Sequence, residues 1–170
     1  MRNAARNETT TIRHPGATRP WQHVLEPLLG YLLLGRQLLS GDVACADAWN
    51  FGPRESDAAP VRNVVTRFEA LWPAVRAQFV EERTTLHEAG TLRLDSSRAS
   101  RHLGWQPVWT LDQAISRTVQ WYENWSRAGH SNSREDLADF TRAAAEILKT
   151  STETRSNRFE PDSVTSNHRS

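Results

Sequence analysis

Cysteine and lysine are almost absent from this sequence, because Cys45 and Lys149 are the only ones among 170 residues. A lone cysteine can form neither an intramolecular disulfide nor a thiolate metal cluster, and it fits a reducing compartment. Long hydrophobic runs are missing too: the longest, within residues 28–39, is interrupted by polar residues and is too short to cross a bilayer. Residues 1–11 are polar and lack the apolar region of a signal peptide. We therefore expect a cytoplasmic protein.

Several motifs of catalysis are also missing. The sequence has no Gly-x-Gly, which excludes a dinucleotide-binding fingerprint, and its single lysine does not follow a glycine, which excludes a Walker loop. Tyr31 and Tyr122, the two tyrosines, have no lysine four residues later, so a helical tyrosine–lysine pair cannot supply a phenolate base. There is no Gly-x-Ser-x-Gly elbow for a serine nucleophile, and the six histidines lack the spacing of metal ligands on one element. The sequence therefore predicts no catalytic, cofactor-binding or metal-binding residue in this chain.

Charged and aromatic residues are distributed unevenly along the chain. The formal net charge of +1 gives no electrostatic argument for a nucleic-acid or membrane partner. All seven tryptophans lie between residues 20 and 125, whereas residues 126–170 are rich in polar and charged side chains. We expect a truncated lead-in over residues 1–11, a folded lobe over 12–125, a helical extension over 126–149 and a disordered tail over 150–170.

Hydrophobic periodicity predicts a mostly helical α+β chain with a few short strands. The first long helix starts near Pro27 and runs to residue 39, and because its leucines cover more than one face we expect it to be buried on most sides. Thr110 and Gln113 form a capping box that opens another helix. The other expected helices cover residues 61–78, with a kink or break at Pro73, 97–103, 111–125 and 137–148; short strands are expected at 9–13, 48–51, 79–82 and 91–94.

Residues 19–23, Arg-Pro-Trp-Gln-His, are the most informative segment. A forked guanidinium lies beside a large aromatic ring and an imidazole, just before a helix whose free N–H groups attract anions. That combination suits holding a diphosphate and stacking on a sugar or a base. If the segment is extended, Arg19, Trp21 and His23 point to one side and could line a pocket. Alternatively, Arg19 is a surface arginine paired with a carboxylate, and Trp21 packs against the following helix.

Longer stretches around this segment follow one another in a recognisable order. Residues 12–27 read Ile-Arg-His-Pro-Gly-Ala-Thr-Arg-Pro-Trp-Gln-His-Val-Leu-Glu-Pro. Trp-Asn-Phe-Gly-Pro follows at 49–53, His-Glu-Ala at 87–89, Leu-Asp-Ser-Ser at 94–97 and Leu-Gly-Trp-Gln-Pro-Val-Trp at 103–109. Together these stretches resemble the CDP-glucose 4,6-dehydratases, extended short-chain dehydrogenases/reductases of the NAD-dependent epimerase/dehydratase superfamily. Leu-Gly-Trp-x-Pro alone indicates only the wider superfamily, whereas the Arg-Pro-Trp-Gln-His-Val-Leu-Glu-Pro string favours the CDP-glucose branch.

The resemblance implies an activity for the family. Its members use bound NAD to oxidise C4 of glucose, eliminate water across C5 and C6, and return hydride to C6. The product, CDP-4-dehydro-6-deoxyglucose, is a precursor of deoxysugars in surface polysaccharides. The Rossmann domain that binds NAD and the tyrosine–lysine pair belong to the N-terminal portion of the family, which this sequence lacks. We therefore expect a C-terminal fragment that binds CDP-glucose or a related nucleotide sugar, is inactive alone, and could pair with a separate N-terminal half.

The resemblance also implies roles for particular side chains. Arg19 is expected to face the diphosphate, with Trp21 and His23 lining the pocket. His87 and Glu88 are expected in a loop that reaches the ribose and phosphates, although they could equally be a solvated loop pair.

Other positions are assigned to structure, or depart from the family. For Glu26, capping of the helix is at least as good an interpretation as a hydrogen bond to substrate. His14 replaces a common asparagine and Leu86 a common proline near the expected substrate, which puts fine specificity in question. Arg98 replaces a usual lysine on a surface helix, where we expect little effect. Five tryptophans are expected in the core: Trp49, Trp72, Trp105, Trp109 and Trp121.

Two other functions are compatible with the sequence. The chain could be a non-enzymatic binding or interaction module whose tail, residues 126–170, contacts a partner. It could also be a decayed fragment, in which apolar faces are exposed, above all on the helix over residues 28–39.

Overall fold

The computed structural model describes residues 1–80 and 90–156, and residues 150–156 are described as backbone only. Within these residues the helices are α1 (Arg2–Ala5), α2 (Leu25–Leu39), α3 (Val61–Leu71), α4 (Ser97–Leu103), α5 (Leu111–Ala128) and α6 (Ser133–Ser156). The strands are β1 (Thr10–Ile12), β2 (Thr18–Arg19), β3 (Ala59–Pro60) and β4 (Ala77–Phe79). The mostly helical α+β architecture expected from the sequence is confirmed. None of the described helices combines the length and hydropathy needed to cross a membrane.

The short strands form two small sheets. β1 and β4 pair in parallel, and β2 and β3 pair in antiparallel, with Arg19 opposite Ala59. On the other side of β2, the Thr18 N–H donates to the Gly90 carbonyl at 2.8 Å, and the Thr18 carbonyl accepts from the Leu92 N–H at 3.1 Å. The strand that carries Arg19 is therefore held between β3 and residues 90–92.

The described buried side chains form three clusters. The first joins α1, β3, α3 and α5 through Ala4, Ala59, Val64, Trp72, Leu111, Ile115 and Val119. The second joins α2 to α4 through Leu33, Cys45, Phe51, Ala99, Leu103 and Trp105. The third packs the loop before α5 against α6 through Val108, Trp109, Phe140 and Ala144. Trp21 packs against the first cluster and Leu25 against the third, so the segment between them connects the two.

Helix ends follow the local rules of the sequence. The Thr110 and Gln113 capping box is formed in both directions at the start of α5. Gly104 after α4 and Gly129 after α5 adopt left-handed φ angles of 70° and 67°, which glycine tolerates best. α3 ends before Pro73, as the sequence predicts.

Several expected boundaries are wrong. The helix over residues 61–78 stops at Leu71, because the chain beyond Pro73 instead forms β4 and pairs with β1. That strand starts before the expected 79–82, and its last two expected residues lie outside the described ones. Of residues 91–94 only Thr91 forms a bridge, to Thr18. Residues 48–51 are not a strand, because no described strand runs beside them.

The later helices are longer than the sequence predicts. α5 passes Trp125 and ends at Ala128, where Gly129 terminates it. α6 starts at Ser133 and reaches Ser156, so it enters the segment that was expected to be disordered. Residues 157–170, the remainder of that expected tail, lie outside the described part of the chain.

α2 is buried on one side only, so the expectation of burial on most sides is wrong. Gly30 and Leu33 are buried against the second cluster. Leu28, Leu32 and Leu39 on the opposite side keep 44%, 73% and 92% of their surface exposed. The apolar residues that suggested full burial therefore form a second face, which the described residues leave exposed.

Two glycines of α2 offer a test of this packing. A Cβ on Gly30 would lie 2.4 Å from Cδ1 of Phe51, whereas a Cβ on Gly35 would have nothing within 4 Å. We expect Gly30→Ala to lower the free energy of unfolding by about 1–3 kcal/mol through overpacking. Gly35→Ala is the control, and should raise it by up to about 1 kcal/mol because alanine favours helix. Urea unfolding followed by tryptophan fluorescence measures both, and equal stabilities would contradict the close approach of α2 to Phe51.

Candidate functional site

Arg19 ends β2, and residues 20–24 connect this strand to α2; together they include three of the side chains expected at the site. The backbone does not stay extended here, because the Trp21 N–H donates to the Arg19 carbonyl at 3.1 Å and closes a tight turn. The alternation that would place Arg19, Trp21 and His23 on one side is therefore lost. The prediction of a shared face is wrong, and each side chain has its own environment.

Trp21 is a packing residue in this structure. Its indole Nε1–H donates to the Ala59 carbonyl at 2.9 Å, and its ring packs against the first cluster. Of the two interpretations that the sequence left open, the structure favours packing, although the ring packs toward α3 and α5 rather than toward α2. The bond to Ala59 also ties the segment to β3, the partner strand of Arg19.

His23 supports the start of α2. Its Nδ1 accepts the Leu25 N–H at 3.3 Å, and its ring contacts Trp109 edge-on with 4.9 Å between the ring centres. Burial lowers the pKa of His23, with Asp136 opposing and Arg117 adding to that shift. The lowered pKa agrees with the geometry, because Nδ1 can accept a bond only when it carries no proton. Nε2 is then the ring nitrogen that could contact a ligand.

Arg19 lies half-buried on β2. Its Nη1 donates to the Thr18 carbonyl of the same strand at 3.0 Å. Because Thr18 bonds to Gly90 and Leu92, Arg19 lies beside the segment that directly follows residues 87–88 in the chain. His87 and Glu88 lie outside the described residues, so their expected roles stay predictions, as does the effect of Leu86.

Glu26 is the residue whose role the sequence analysis missed. Its side chain is almost fully buried, with 1% of its surface exposed. Oε2 accepts the Val108 N–H at 2.9 Å and Oε1 accepts the Trp109 N–H at 2.8 Å. The Trp105 indole N–H donates to the Glu26 carbonyl at 3.1 Å. Glu26 therefore does not act as the cap of α2 that the sequence suggested. Instead, it ties the first turn of α2 to the loop before α5.

The electrostatics of Glu26 follow from this position. Burial raises the pKa of Glu26, and the two backbone hydrogen bonds from Val108 and Trp109 lower it by less. Both carboxylate oxygens already accept backbone hydrogen bonds, so the structure supports the structural interpretation of this residue over a substrate hydrogen bond. An acidic residue inside an apolar first turn was the only signal in the sequence, and its partners are far away in the chain.

Two cavities flank the segment. One of about 740 Å³ has Pro20, Arg54 and Arg93 among its lining residues. Arg54 donates to the Pro107 carbonyl at 2.7 Å, and Arg93 is paired with Glu55, so both guanidiniums are engaged. The other, of about 370 Å³, is lined by residues 22–25, by Thr118, Trp121 and Tyr122 of α5, and by Ser133 and Asp136 of α6. Arg19 lines neither of them.

The smaller cavity combines aromatic walls with the imidazole of His23 and the carboxylate of Asp136. Asp136 is buried and pairs with Arg117 at 3.1 Å, and Arg117 also pairs with Asp139 at 2.8 Å. Walls of this kind suit a small, partly apolar ligand. Among the described residues no group of three His, Cys, Asp or Glu side chains could hold a metal ion.

The tryptophans expected in the core fall into two groups. Trp72, Trp105 and Trp109 are buried, whereas Trp49 and Trp121 are only half-buried. Arg98 covers Trp49, with its guanidinium carbon 4.3 Å from the ring centre, and it also pairs with Asp47 at 2.7 Å. A planar guanidinium suits this stacked arrangement better than an ammonium does. Arg98 therefore makes both a stacked contact and an ion pair, which is more than we expected for this surface position.

Sequence comparison decides the relationship of the chain. Over 145 residues it is 36% identical to a CDP-glucose 4,6-dehydratase of Salmonella typhimurium. The chain is a homologue of CDP-glucose 4,6-dehydratase. The match covers 84% of this chain but only 40% of the dehydratase, in the C-terminal part of the latter. No protein-family model matches the sequence.

Solved structures agree on the fold of the dehydratase homologue. UDP-glucuronic acid 4-epimerase from Bacillus cereus, in complex with UDP-glucuronic acid and NAD, superposes with a TM-score of 0.58 at 16% identity. That match covers 72% of this chain and 37% of the epimerase. RMD from Pseudomonas aeruginosa, complexed with NADPH, gives 0.55 at 20% identity, covering 74% of this chain and 39% of RMD. At these identities the likeness concerns the fold alone.

Proposed function

We propose that this chain is the nucleotide-sugar-binding part of a CDP-glucose 4,6-dehydratase and that it binds CDP-glucose. The observation that carries the proposal is the 36% identity over 145 residues to the Salmonella dehydratase. The segment Arg-Pro-Trp-Gln-His-Val-Leu-Glu-Pro lies in the connection from β2 to α2, where the chain is held by long-range contacts. The complete reaction would convert CDP-glucose to CDP-4-dehydro-6-deoxyglucose and water.

In this proposal Arg19 holds the diphosphate. A guanidinium presents its N–H groups as a fork that matches two phosphate oxygens. The position of Arg19 beside residues 90–92 supports the assignment, because His87 and Glu88, the proposed contacts of the ribose and phosphates, directly precede them. Trp21 contributes by anchoring the segment to β3, and His23 contributes by supporting the start of α2.

The chemistry requires a part of the enzyme that the match does not cover. The Bacillus epimerase is in complex with NAD, but the described residues of this chain do not fit a dinucleotide site. Its parallel strand β1 is followed by a turn and β2, not by a glycine-rich turn into a helix. We therefore infer that the chain is inactive alone. Formation of the 4-dehydro product by the purified chain with CDP-glucose and added NAD would contradict this.

Arg19 gives the sharpest test of binding. We expect Arg19→Gln to raise the dissociation constant of CDP-glucose about ten- to hundredfold, because a charge-assisted hydrogen-bond pair is lost. Isothermal titration calorimetry measures this on the full chain, and the wild type should bind in the millimolar range or tighter. CDP should retain much of the affinity, whereas glucose should not bind.

Arg142→Gln is the matched control. Arg142 is an exposed arginine on α6 that pairs only with Asp139 among its described ion pairs, so its loss should leave CDP-glucose binding unchanged. An equal effect of both substitutions, or none at position 19, would sink the assignment of Arg19. A folded wild type that gives no binding heat would sink the nucleotide-sugar proposal itself.

The exposed face of α2 favours a second candidate, a non-enzymatic interaction module. Leu32 and Leu39 keep most of their surface in contact with water, and such apolar patches commonly mark protein interfaces. A cooperatively folded chain that ignores CDP-glucose would favour this candidate. Poor folding of the purified chain would favour a decayed fragment instead.

A further inference from the structure

The smaller cavity, of about 370 Å³, takes no part in the proposed binding of the diphosphate, because Arg19 does not line it. The segment before α2 meets α5 and α6 there, and all three contribute to its walls. Its volume falls within the range of about 300–1,000 Å³ that is typical of sites for small molecules. The chemistry of the walls determines which class of small molecule it suits.

Two aromatic rings of α5 form a corner in this cavity. The rings of Trp121 and Tyr122 meet at 71°, with 5.0 Å between their centres, and both side chains line the cavity. The Trp121 indole N–H already donates to Ser133 at 2.8 Å, so the Trp121 side chain offers a ligand its aromatic surface alone. Val24 and Leu25 continue the wall with apolar surface. A flat ring in this corner packs against its neighbours in the offset-stacked and edge-on arrangements that aromatic pairs favour.

The ionisable groups at the cavity leave no uncompensated charge among the described residues. Asp136 has 5% of its side chain exposed, and its Oδ1 pairs with Arg117 at 3.1 Å. Nδ1 of His23 accepts the Leu25 N–H, so the ring carries its proton on Nε2 and is uncharged. An uncharged ligand therefore suits the cavity, because a charged one would lose its hydration without gaining an opposite charge.

His23 and Asp136 leave a complementary donor and acceptor at the cavity. Neither Nε2 of His23 nor Oδ2 of Asp136 has a hydrogen bond to another described residue. The two side chains line the same cavity and interact electrostatically, but no hydrogen bond joins them. A ligand hydroxyl can bridge such a pair, because it accepts a hydrogen bond from an imidazole N–H and donates one to a carboxylate.

We propose that the smaller cavity binds a small, uncharged aromatic alcohol, whose ring packs into the corner of Trp121 and Tyr122 and whose hydroxyl bridges His23 and Asp136. A sugar suits these walls less well, because it would bring several hydroxyl groups to a largely apolar surface with few partners for them. The inference is independent of the proposed function, since the site uses neither Arg19 nor a nucleotide.

Phenol and benzene test the role of the hydroxyl. Each is titrated into the isotopically labelled 170-residue chain, and the indole N–H shifts of the tryptophans are followed by NMR. We expect phenol to shift the Trp121 signal saturably with a millimolar dissociation constant, and benzene, which has the ring alone, to bind about tenfold more weakly. A Trp121 signal that does not respond to phenol, or benzene binding as tight as that of phenol, would overturn the proposal.

His23→Asn removes the donor while sparing the support of α2. The asparagine amide oxygen can take the place of Nδ1 and accept the Leu25 N–H, whereas nothing replaces the Nε2–H group. We expect phenol to bind this variant about tenfold more weakly, at the level of benzene, with benzene binding itself unchanged. An equal loss for both ligands, or no loss for phenol, would overturn the bridging hydroxyl.

Two tryptophans of α5 provide a second variant and its matched control. Trp121 lines the cavity, whereas Trp125, about one turn later on the same helix and 49% exposed, does not. Neither is fully buried, so both leucine variants should fold, which circular dichroism checks. We expect Trp121→Leu to weaken phenol binding about tenfold or more in calorimetry, and Trp125→Leu to change it by no more than about twofold. Equal effects of the two substitutions would contradict the proposed site.

A competition experiment separates this site from that of the nucleotide sugar. CDP-glucose should bind the phenol-saturated chain without displacing phenol, because the two proposed sites share no side chain. Displacement of phenol by CDP-glucose would mean that the two ligands occupy one site, and would overturn the assignment of the smaller cavity. Phenol binding by a chain that ignores CDP-glucose would refute the proposed function and leave the aromatic site standing.

Discussion

Glu26→Ala is expected to lower the free energy of unfolding by about 2–6 kcal/mol, because two buried backbone donors lose their acceptor and each costs about 1–3 kcal/mol. The donors are the N–H groups of Val108 and Trp109, which bond to the two carboxylate oxygens at 2.9 Å and 2.8 Å. Such a loss is a large part of the roughly 5–15 kcal/mol by which domains are stable. Urea unfolding followed by tryptophan fluorescence measures it.

The control for this prediction is an exposed carboxylate. Glu8 lies exposed in the loop before β1, so Glu8→Ala should change the free energy of unfolding by no more than about 0.5 kcal/mol. If Glu26→Ala were as mild as Glu8→Ala, Glu26 would not tie α2 to the loop before α5.

The pH dependence of stability reports on the same group. Burial raises the pKa of Glu26 above its ordinary value of 4.5, so the folded state holds the proton more tightly than the unfolded state does. The stability that this protonation contributes is complete below the unfolded pKa and is lost as the pH rises through the folded pKa. The free energy of unfolding of the wild type relative to Glu26→Gln should therefore fall as the pH rises above the ordinary glutamate range. A difference that does not change with pH would contradict the raised pKa.

Trp105→Ala is expected to destabilise the chain by about 3–5 kcal/mol, which is the usual cost of truncating a buried tryptophan. The Trp105 side chain is fully buried, its ring packs edge-on against Phe51, and its indole N–H donates to the Glu26 carbonyl. Thermal and urea unfolding measure the loss. Trp125 is 49% exposed, so Trp125→Ala is the control and should cost about 1 kcal/mol or less.

Glu26 and Trp105 should act together. Both belong to the contact between the first turn of α2 and the loop before α5, so the double variant should lose less stability than the sum of the single variants. Additive losses would mean that the two side chains stabilise the chain independently. Since α2 directly follows the Arg19 segment, weakening this contact should also lower the affinity for CDP-glucose under conditions where the variants stay folded.

Local sequence rules predicted much of the fold. The capping box at Thr110, the glycine at the end of α4 and the break at Pro73 each depend on neighbours within a few residues, and all three are present. The failures involve partners that are distant in the chain. Residues 48–51 have the sequence of a strand, but a strand also needs a neighbouring strand, and none of the described strands lies there.

The candidate site was harder to predict than the fold for the same reason. One backbone hydrogen bond from Trp21 to Arg19 breaks the alternation on which the expected shared face depended. The partners of Glu26 are brought to it only by tertiary folding. Apolar periodicity shows that α2 has two apolar faces, but which of them is covered depends on the other structure that packs there. The family resemblance, in contrast, rests on short sequence motifs, which can be recognised without knowing which residues are in contact. The comparison with the Salmonella dehydratase confirms it.

The proposal that the chain binds a nucleotide sugar through the Arg19 segment is tested most directly by NMR. CDP-glucose is titrated into the isotopically labelled 170-residue chain, and backbone and arginine side-chain chemical shifts are followed. The account predicts saturable shifts of Arg19, of its strand neighbour Thr18 and of residues 90–92, with little change along the outer face of α2. Unchanged spectra of a folded chain at millimolar CDP-glucose, or shifts confined to regions away from Arg19, would contradict it.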